Sequence, residues 1–311
     1  MTGTLGNRAR ARRHAMATLT GYLFISPWLI GFLAFTAGPM LFSLYASFTN
    51  YDVTSRFSWI GLGNYKQLFF EDNFFWLSLW NTVYYALFAV PLGVIVGLVI
   101  AVLLNQNVPG QRLFRTIFFL PKVLTGVAVL LLWAWVFNGQ AGPINNFLRV
   151  IGIHDPPGWF LDPNWAKPAL IIMSSWGAAG GFIMYLAGLQ GIPKDLYEAA
   201  QIDGATAFRQ FWNVTVPMMS PTIFFKLITG ISGALQFYEA ALILSDNGAG
   251  NGGPSYSTLF YGLYMYKTAF SEFRMGKASA MAWILLVLTL IITAIQLYFS
   301  KRWVYYEGEA R

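Results

Sequence analysis

The sequence predicts an all-α integral membrane protein with six transmembrane helices. Three observations carry that expectation. Of 311 residues only 20 are Lys or Arg and 13 are Asp or Glu, so 11% are charged, against roughly 25% in soluble domains. Hydrophobic residues make up 56% and aromatics 18%, with a mean hydropathy of +0.52. The charges are also missing in blocks. None lies between Arg13 and Asp52, Asp72 and Arg112, Lys122 and Arg149, Lys167 and Lys194, or Lys277 and Lys301. A helix needs about 20 mostly apolar residues to cross a bilayer, and each block has room for one. An ordinary soluble enzyme, a disordered chain or a nucleic-acid-binding domain would need far more charge.

The spans follow in order. The first is Tyr22–Phe48, with Pro27 and Pro39 inside an apolar run. The second is Trp80–Leu104, with Pro91. Membrane helices tolerate such kinks when neighbours satisfy the freed carbonyls. The third and fourth are Ile117–Phe137 and Pro168–Leu189. The fifth, Thr222–Leu244, carries Lys226 and Glu239. The sixth is Ser279–Phe299. Residues 1–20 read as a basic tail and 21–311 as one six-helix unit. An Arg-rich start before an apolar run resembles a secretory signal, but the run from Ala15 to Tyr51 is too long for one.

Lys and Arg orient the spans. With the N-terminus inside, the inner segments hold Arg8, Arg10, Arg12, Arg13, Arg112, Arg115, Lys194, Arg209, Lys301, Arg302 and Arg311. The outer loops hold Arg56, Lys66, Arg149, Lys167, Lys267, Arg274 and Lys277. Six spans return the C-terminus to the inside, so both termini are expected in the cytoplasm. The net charge of +7 is then largely an inner-face bias. Trp28, Trp59, Trp76, Trp80, Trp135, Trp159, Trp165 and Trp303 fall near span boundaries, as an interfacial belt would.

Catalytic and metal signals are missing from the sequence. There is no Cys, and the two His residues are too few for a His cage. The Gly-rich outer loop Asp246–Ser257 has no G-K-[ST] and no following strand, so it is a poor phosphate loop. A membrane-embedded enzyme would need a His cluster, a Ser–His–Asp pattern or HExxH.

The informative segment is the inner loop Gln190–Ser220. Pro193 suits a first helical turn. Asp195 and Glu198 favour its positive end. Gly204 stops that helix at a C′ position. A second short helix is expected from Thr206 to about Asn213, before Pro217. Ala199 and Ala200 leave a thin helix for a partner's groove, with Leu196 and Tyr197 as apolar contacts. Arg209 is placed to hold Glu198 or Asp203.

These residues resemble a family. Glu198-Ala199-Ala200, Asp203-Gly204-Ala205, Phe211 and Val216-Pro217 are similar to the EAA loop of binding-protein-dependent ABC importer permeases. The surrounding chain resembles the carbohydrate branch, of the maltose and glycerol-phosphate transporter type, from Tyr22 onward. The match includes Gly63-Asn64-Tyr65, Leu113-Phe114-Arg115 through Leu120-Pro121, Phe137-Asn138 and Gly188-Leu189. It continues with Ile192-Pro193, Gly252-Gly253-Pro254, Ala269-Phe270 and Gly276-Lys277-Ala278-Ser279-Ala280.

The resemblance implies a type I importer permease in the cytoplasmic membrane of a bacterium or archaeon. It passes a carbohydrate from an external binding protein into the cell. It implies a second, homologous permease, two ATP-binding-cassette ATPase subunits and an extracytoplasmic sugar-binding protein as partners, with the lipid bilayer and no nucleic acid. ATP and Mg belong to the ATPases; this chain binds no cofactor and is no enzyme. Leu196, Glu198, Ala199, Ala200, Asp203 and Gly204 are the implied ATPase-coupling residues. The alternative is an ion-coupled secondary sugar transporter, which usually carries intramembrane carboxylates and broken helices; Glu239 is the one acid inside a predicted span.

Ionisable residues inside a span are functional candidates. In the maltose member of the family the residue after the proline matching Pro121 is an aromatic that lines the sugar site. Lys122 departs from that pattern. It either snorkels to the inner interface or faces the cavity and favours an acidic or phosphorylated sugar. Lys226, one turn into span five, is expected to snorkel. Glu239 is expected at the bundle interior. Sugar sites combine aromatic faces with hydrogen-bonding groups. The resemblance puts sugar-facing positions around Trp176–Gly181 and at Gly230, Ala234 and Phe237. The candidate pathway is therefore Lys122, Trp176, Gly177, Gly181, Gln236, Phe237 and Glu239.

Overall fold

The computed structural model describes residues 3–52, 57–106, 109–124, 126–245 and 250–305. Part of the Gly-rich loop, residues 246–249, lies outside them. Among the described residues the chain is helical, with no strand beyond one antiparallel bridge between Thr49 and Trp59. Four helical stretches are long and apolar enough to cross a membrane, and two bent pairs bring the number up to six.

The first stretch, Thr18–Ser47, joins α1 (Gly3–Phe32) to α2 (Gly38–Ser47) through a π turn at Leu33–Ala37. Pro39 explains that turn. It lacks an N–H and crowds the preceding turn, and the extra residue of a π turn accommodates it. The basic segment is the start of α1, since the helix begins at Gly3. Only 6% of the most apolar part of this stretch is buried within the chain, so it is peripheral. Its far end is pinned by the Gly63-Asn64-Tyr65 motif on α3 (Gly63–Lys66). Asn64 is buried and donates to the Ser47 and Thr49 carbonyls at 2.9 and 2.8 Å.

The centre is α4 (Asn73–Asn105). Its 33 residues rise about 50 Å at 1.5 Å each, more than a bilayer core of about 30 Å. Asp72 caps it by accepting from Phe74 and Phe75 N–H at 3.0 and 3.2 Å. Two apolar clusters form along it. One gathers Phe75, Tyr85, Leu170, Phe260, Tyr261 and Met281 near the Asp72 end. The other gathers Ala101, Leu104, Phe182, Tyr185 and Met219 near the opposite end.

The third predicted span, Ile117–Phe137, is not one straight helix. It is split into α5 (Gln111–Val123) and α6 (Val127–Val136), which meet at 108°. Gly126 interrupts it with φ +60°. Then α7 (Pro143–Val150) and a short turn at Trp159–Leu161 close a loop. Trp159 is no belt residue: it is buried and donates from Nε1 to Asn145 Oδ1 at 2.6 Å. The fourth span is also broken. α8 (Ala166–Ala179) and α9 (Phe182–Gln190) bend by 46° at Gly180-Gly181.

The loop 190–220 differs from its expected form. α10 (Lys194–Ile202) ends as foreseen. The second arm, α11 (Ala207–Gln210), does not stop before Pro217. It runs through a π turn at Phe211–Thr215 into α12 (Val216–Leu235), so Ala207–Leu235 is one stretch. Pro217 sits in the first turn of α12, where its missing N–H does no harm. The predicted fifth span is therefore shifted toward the loop. It ends at Leu235, and a separate α13 (Glu239–Leu244) follows a break at Gln236–Tyr238.

α14 (Tyr261–Phe270) and α15 (Met275–Ser300) complete the chain. Gly276 touches the end of the first stretch so closely that any Cβ would strike the Thr49 carbonyl. Its N–H donates to Tyr51 O at 2.8 Å. Beyond α15 the chain folds back on α12: Trp303 packs edge-on against Phe224, and Tyr305 N–H donates to Ser220 Oγ at 2.8 Å.

Candidate functional site

Two adjoining cavities meet at Ser174, Gly177 and Phe237: the first lies between α4, α8 and α12, the second between α5, α6, α8 and the break at residues 236–238. The first, about 420 Å³, is lined by Tyr85, Lys122, Ser174, Gly177, Gly181, Tyr185, Lys226, Thr229, Gly230 and Phe237 among others. The second, about 430 Å³, is lined by Pro121, Ser174, Trp176, Gly177, Gln236, Phe237, Tyr238 and Glu239 with further apolar residues. All seven candidate pathway residues line one or both. A larger hollow of about 610 Å³ between α14 and α15 has no charged side chain in its lining, so it offers less specific chemistry.

Lys122 faces the first cavity from α5. Gly180 lies so close that a methyl there would come within 2.9 Å of Lys122 Cβ. Lys226 does not simply run out to an interface, as expected from its position. Its Nζ lies 6.0 Å from the Tyr185 ring centre and 3.5 Å from where a Gly181 methyl would sit. The reason is the shifted helix: with α12 beginning at Val216, Lys226 falls mid-helix beside the bend of α8 and α9. Phe237 stacks on Tyr85 at 4.3 Å. Trp176 meets Trp133 edge-on at 5.7 Å. Glu239 is not deep in a span. It is exposed, in the first turn of α13, at the wall of the second cavity.

The loop at the other end is built for contact. Gly204 adopts φ +74°, a conformation that costs an ordinary residue roughly 1–2 kcal/mol. It allows Ala205 N–H to bond back to Ala200 O at 2.9 Å, the Schellman closure of a helix. Thr206 then starts α11 as its N-cap. The two arms are tied by a 2.9 Å hydrogen bond between the Tyr197 and Thr215 hydroxyls. Leu196, Glu198, Ala199 and Asp203 are exposed and Ala200 is half-buried. Ile202 is 87% and Phe208 73% exposed, which leaves an apolar patch beside Glu198. Arg209 pairs with neither Glu198 nor Asp203 among the described residues.

The sequence reading missed a third cluster at the opposite end. Asp72 Oδ2 lies 2.6 Å from Lys277 Nζ, with side chains 7% and 5% exposed. Tyr264 donates to Asp72 Oδ2 at 2.5 Å, and Lys277 donates to the Tyr264 hydroxyl at 2.9 Å. Burial pushes the Asp72 pKa up, but the hydrogen bonds from Lys277 and Tyr264 outweigh it and hold the carboxyl below its usual range. Burial, with the hydrogen bond to Asp72, raises the Tyr264 phenol. The signal was an acid and a lysine, each the last charge ahead of a long apolar run. Nearby, Lys167 donates to buried Asn81 at 3.0 Å and sits over the Tyr84 ring.

Residues 89–305 match the family model described as binding-protein-dependent transport system inner membrane component. The chain belongs to this family. It is a multi-pass inner membrane component of such a system. It is 42% identical over 309 residues to the probable ABC transporter permease protein YesP of Bacillus subtilis (strain 168), covering 98% of this chain and 99% of the relative. It is 35% identical to the lactose transport system permease protein LacF of Rhizobium radiobacter, over 91% of this chain and 94% of that one. A solved bacterial alginate ABC transporter, crystallised with an alginate pentasaccharide-bound periplasmic protein, aligns at TM-score 0.80. The identity is 25% over 93% of this chain and 96% of that chain. These relatives are named as permease proteins, not as ATPases.

Proposed function

We propose that the chain is a permease subunit of a carbohydrate importer, driven by a separate ATPase that docks on residues 190–220. It crosses the cytoplasmic membrane six times with both termini inside. Each bent pair counts as one crossing. A second homologous permease, two ATPase subunits holding ATP and Mg, and an external sugar-binding protein complete the system.

One observation carries this reading. The second arm of the loop and the wall of the first cavity are one helical stretch, Ala207–Leu235. It holds Phe208 at the loop and Lys226, Thr229, Gly230 and Ala234 at the cavity. A rigid helix displaced at one end moves at the other. The exposed apolar patch of Ile202 and Phe208 supports docking, since a partner gains by covering it. The relative named for lactose and the neighbour named for alginate support a carbohydrate as the solute.

The test is the Glu198→Ala, Gly204→Pro double variant in the assembled importer. Proline fixes φ near −65° and cannot take the Gly204 conformation. ATP-driven uptake should fall to background while the permease still folds and inserts. Retained uptake sinks the coupling assignment. An uncoupler applied at constant ATP should leave wild-type uptake intact; abolished uptake would favour the ion-coupled alternative.

A further inference from the structure

The first cavity holds more positive charge than any internal group balances. Lys122 and Lys226 both line it, on either side of the Gly180-Gly181 bend. Neither forms an ion pair or side-chain hydrogen bond among the described residues; the Tyr185 ring is the one cation–π neighbour, of Lys226. No Asp or Glu lines this cavity, and Glu239 borders only the adjoining one. Ammonium groups inside a span are costly, and two facing one cavity repel each other. The cost is offset when an anion enters.

Building on the permease reading above, we propose that Lys122 and Lys226 form a binding site for the carboxylates of an acidic saccharide, a chain bearing uronic acids. The remaining lining fits such a ligand. Half-buried Phe237, backed by the buried Tyr85 ring stacked on it, supplies aromatic surface for the apolar C–H face of a pyranose. Thr229 donates to a carbonyl of its own helix, so its oxygen stays open to accept from a sugar hydroxyl, whereas the Ser174 hydroxyl is already engaged with Tyr85. About 420 Å³, continued by about 430 Å³ next door, suits a short oligosaccharide. Carboxylate is favoured over phosphate by the donor set. Two separate ammonium groups match two single charges spaced along a chain.

The experiment uses the whole importer in ATP-loaded proteoliposomes with its binding protein. The probes are trisaccharides of mannuronate, galacturonate and glucuronate, their carboxyl-reduced neutral counterparts, and trehalose 6-phosphate. Each variant is compared with wild type on the same solute, which cancels the preference of the binding protein. Wild type should import at least one uronate trisaccharide. Lys122→Met and Lys226→Met should each slow that uptake at least about tenfold, the worth of one charge-assisted hydrogen bond. The neutral counterpart should change less than about twofold. Lys122→Arg and Lys226→Arg, which keep the charge, should recover most of the rate.

Equal losses for charged and neutral sugars, or none, overturn the site and leave the carbohydrate reading standing. Import of neutral sugars alone does the same. Loss confined to trehalose 6-phosphate overturns the carboxylate assignment. If no saccharide is imported while the assembled complex still hydrolyses ATP, the carbohydrate reading itself fails.

Discussion

Two regions of the helical bundle, one end and the middle, treat lysine in opposite ways. At one end Lys277 is buried against Asp72 and Tyr264, with each polar atom of the cluster satisfied. Near the middle, Lys122 and Lys226 look into a cavity with no acid in its lining. The first arrangement is closed: it joins the starts of α4 and α15 and needs nothing from outside. The second is open, because its charge balance comes from something that is not part of this chain. The same residue type is structural where the fold supplies its partner and functional where the fold withholds it.

The largest effect that tests this contrast is the loss of one partner in the closed cluster. Lys277→Met leaves the Asp72 carboxylate buried and uncompensated, which costs about 3–5 kcal/mol. The melting midpoint in detergent and the yield of folded protein should both drop sharply. Asp72→Leu added to Lys277→Met should restore much of the loss, because a well-packed apolar pair replaces the ion pair at little net cost. If the single variant melts like wild type, the cluster is not the staple described.

A smaller effect follows from pH. The folded Asp72 carboxyl titrates below its usual value, so the charged form stabilises the fold. That contribution is complete above the ordinary aspartate pKa of about 4. It is lost as pH falls through the lower folded value. The gap in melting midpoint between wild type and Asp72→Asn should stay constant from pH 7 to 5, then close as the pH drops below about 4. A gap that is flat down to pH 3 would mean that the carboxylate charge is not what holds the cluster.

Most helices of the bundle were legible in charge and hydropathy: Thr18–Ser47 and Asn73–Asn105 fall within charge-poor blocks and Met275–Ser300 nearly does, whereas Ala207–Leu235 carries Arg209 and Lys226. The bends were not. Hydropathy averages are blind to direction, so the 108° break after α5 and the bend at Gly180-Gly181 read as straight spans. Pro217 read as a stop, yet a proline in a first turn lets α12 continue from the loop. That shift of register hid the place of Lys226 and put Glu239 too deep. Gly204 was legible because a left-handed helix end has a strong local signature. Asp72 and Lys277 were not, because they lie about two hundred residues apart in sequence and only the packing of α4, α14 and α15 brings them together.

The smallest expected effect sharpens the contrast most. Lys122→Met and Lys226→Met remove charges that no residue of the chain neutralises, so neither should cost stability. Each also relieves repulsion from the other ammonium, and Lys226→Met, at a half-buried position, a desolvation cost as well. The melting midpoint of the ligand-free complex should therefore hold steady or rise slightly, while Lys277→Met lowers it. Adding a uronate trisaccharide should raise the wild-type midpoint and leave the variants nearly unmoved, because a ligand stabilises only the state that binds it. If Lys226→Met instead melts as low as Lys277→Met, the assembled complex supplies Lys226 with a fixed partner. The two regions would then obey one rule, and the cavity would lose its claim to an anionic solute.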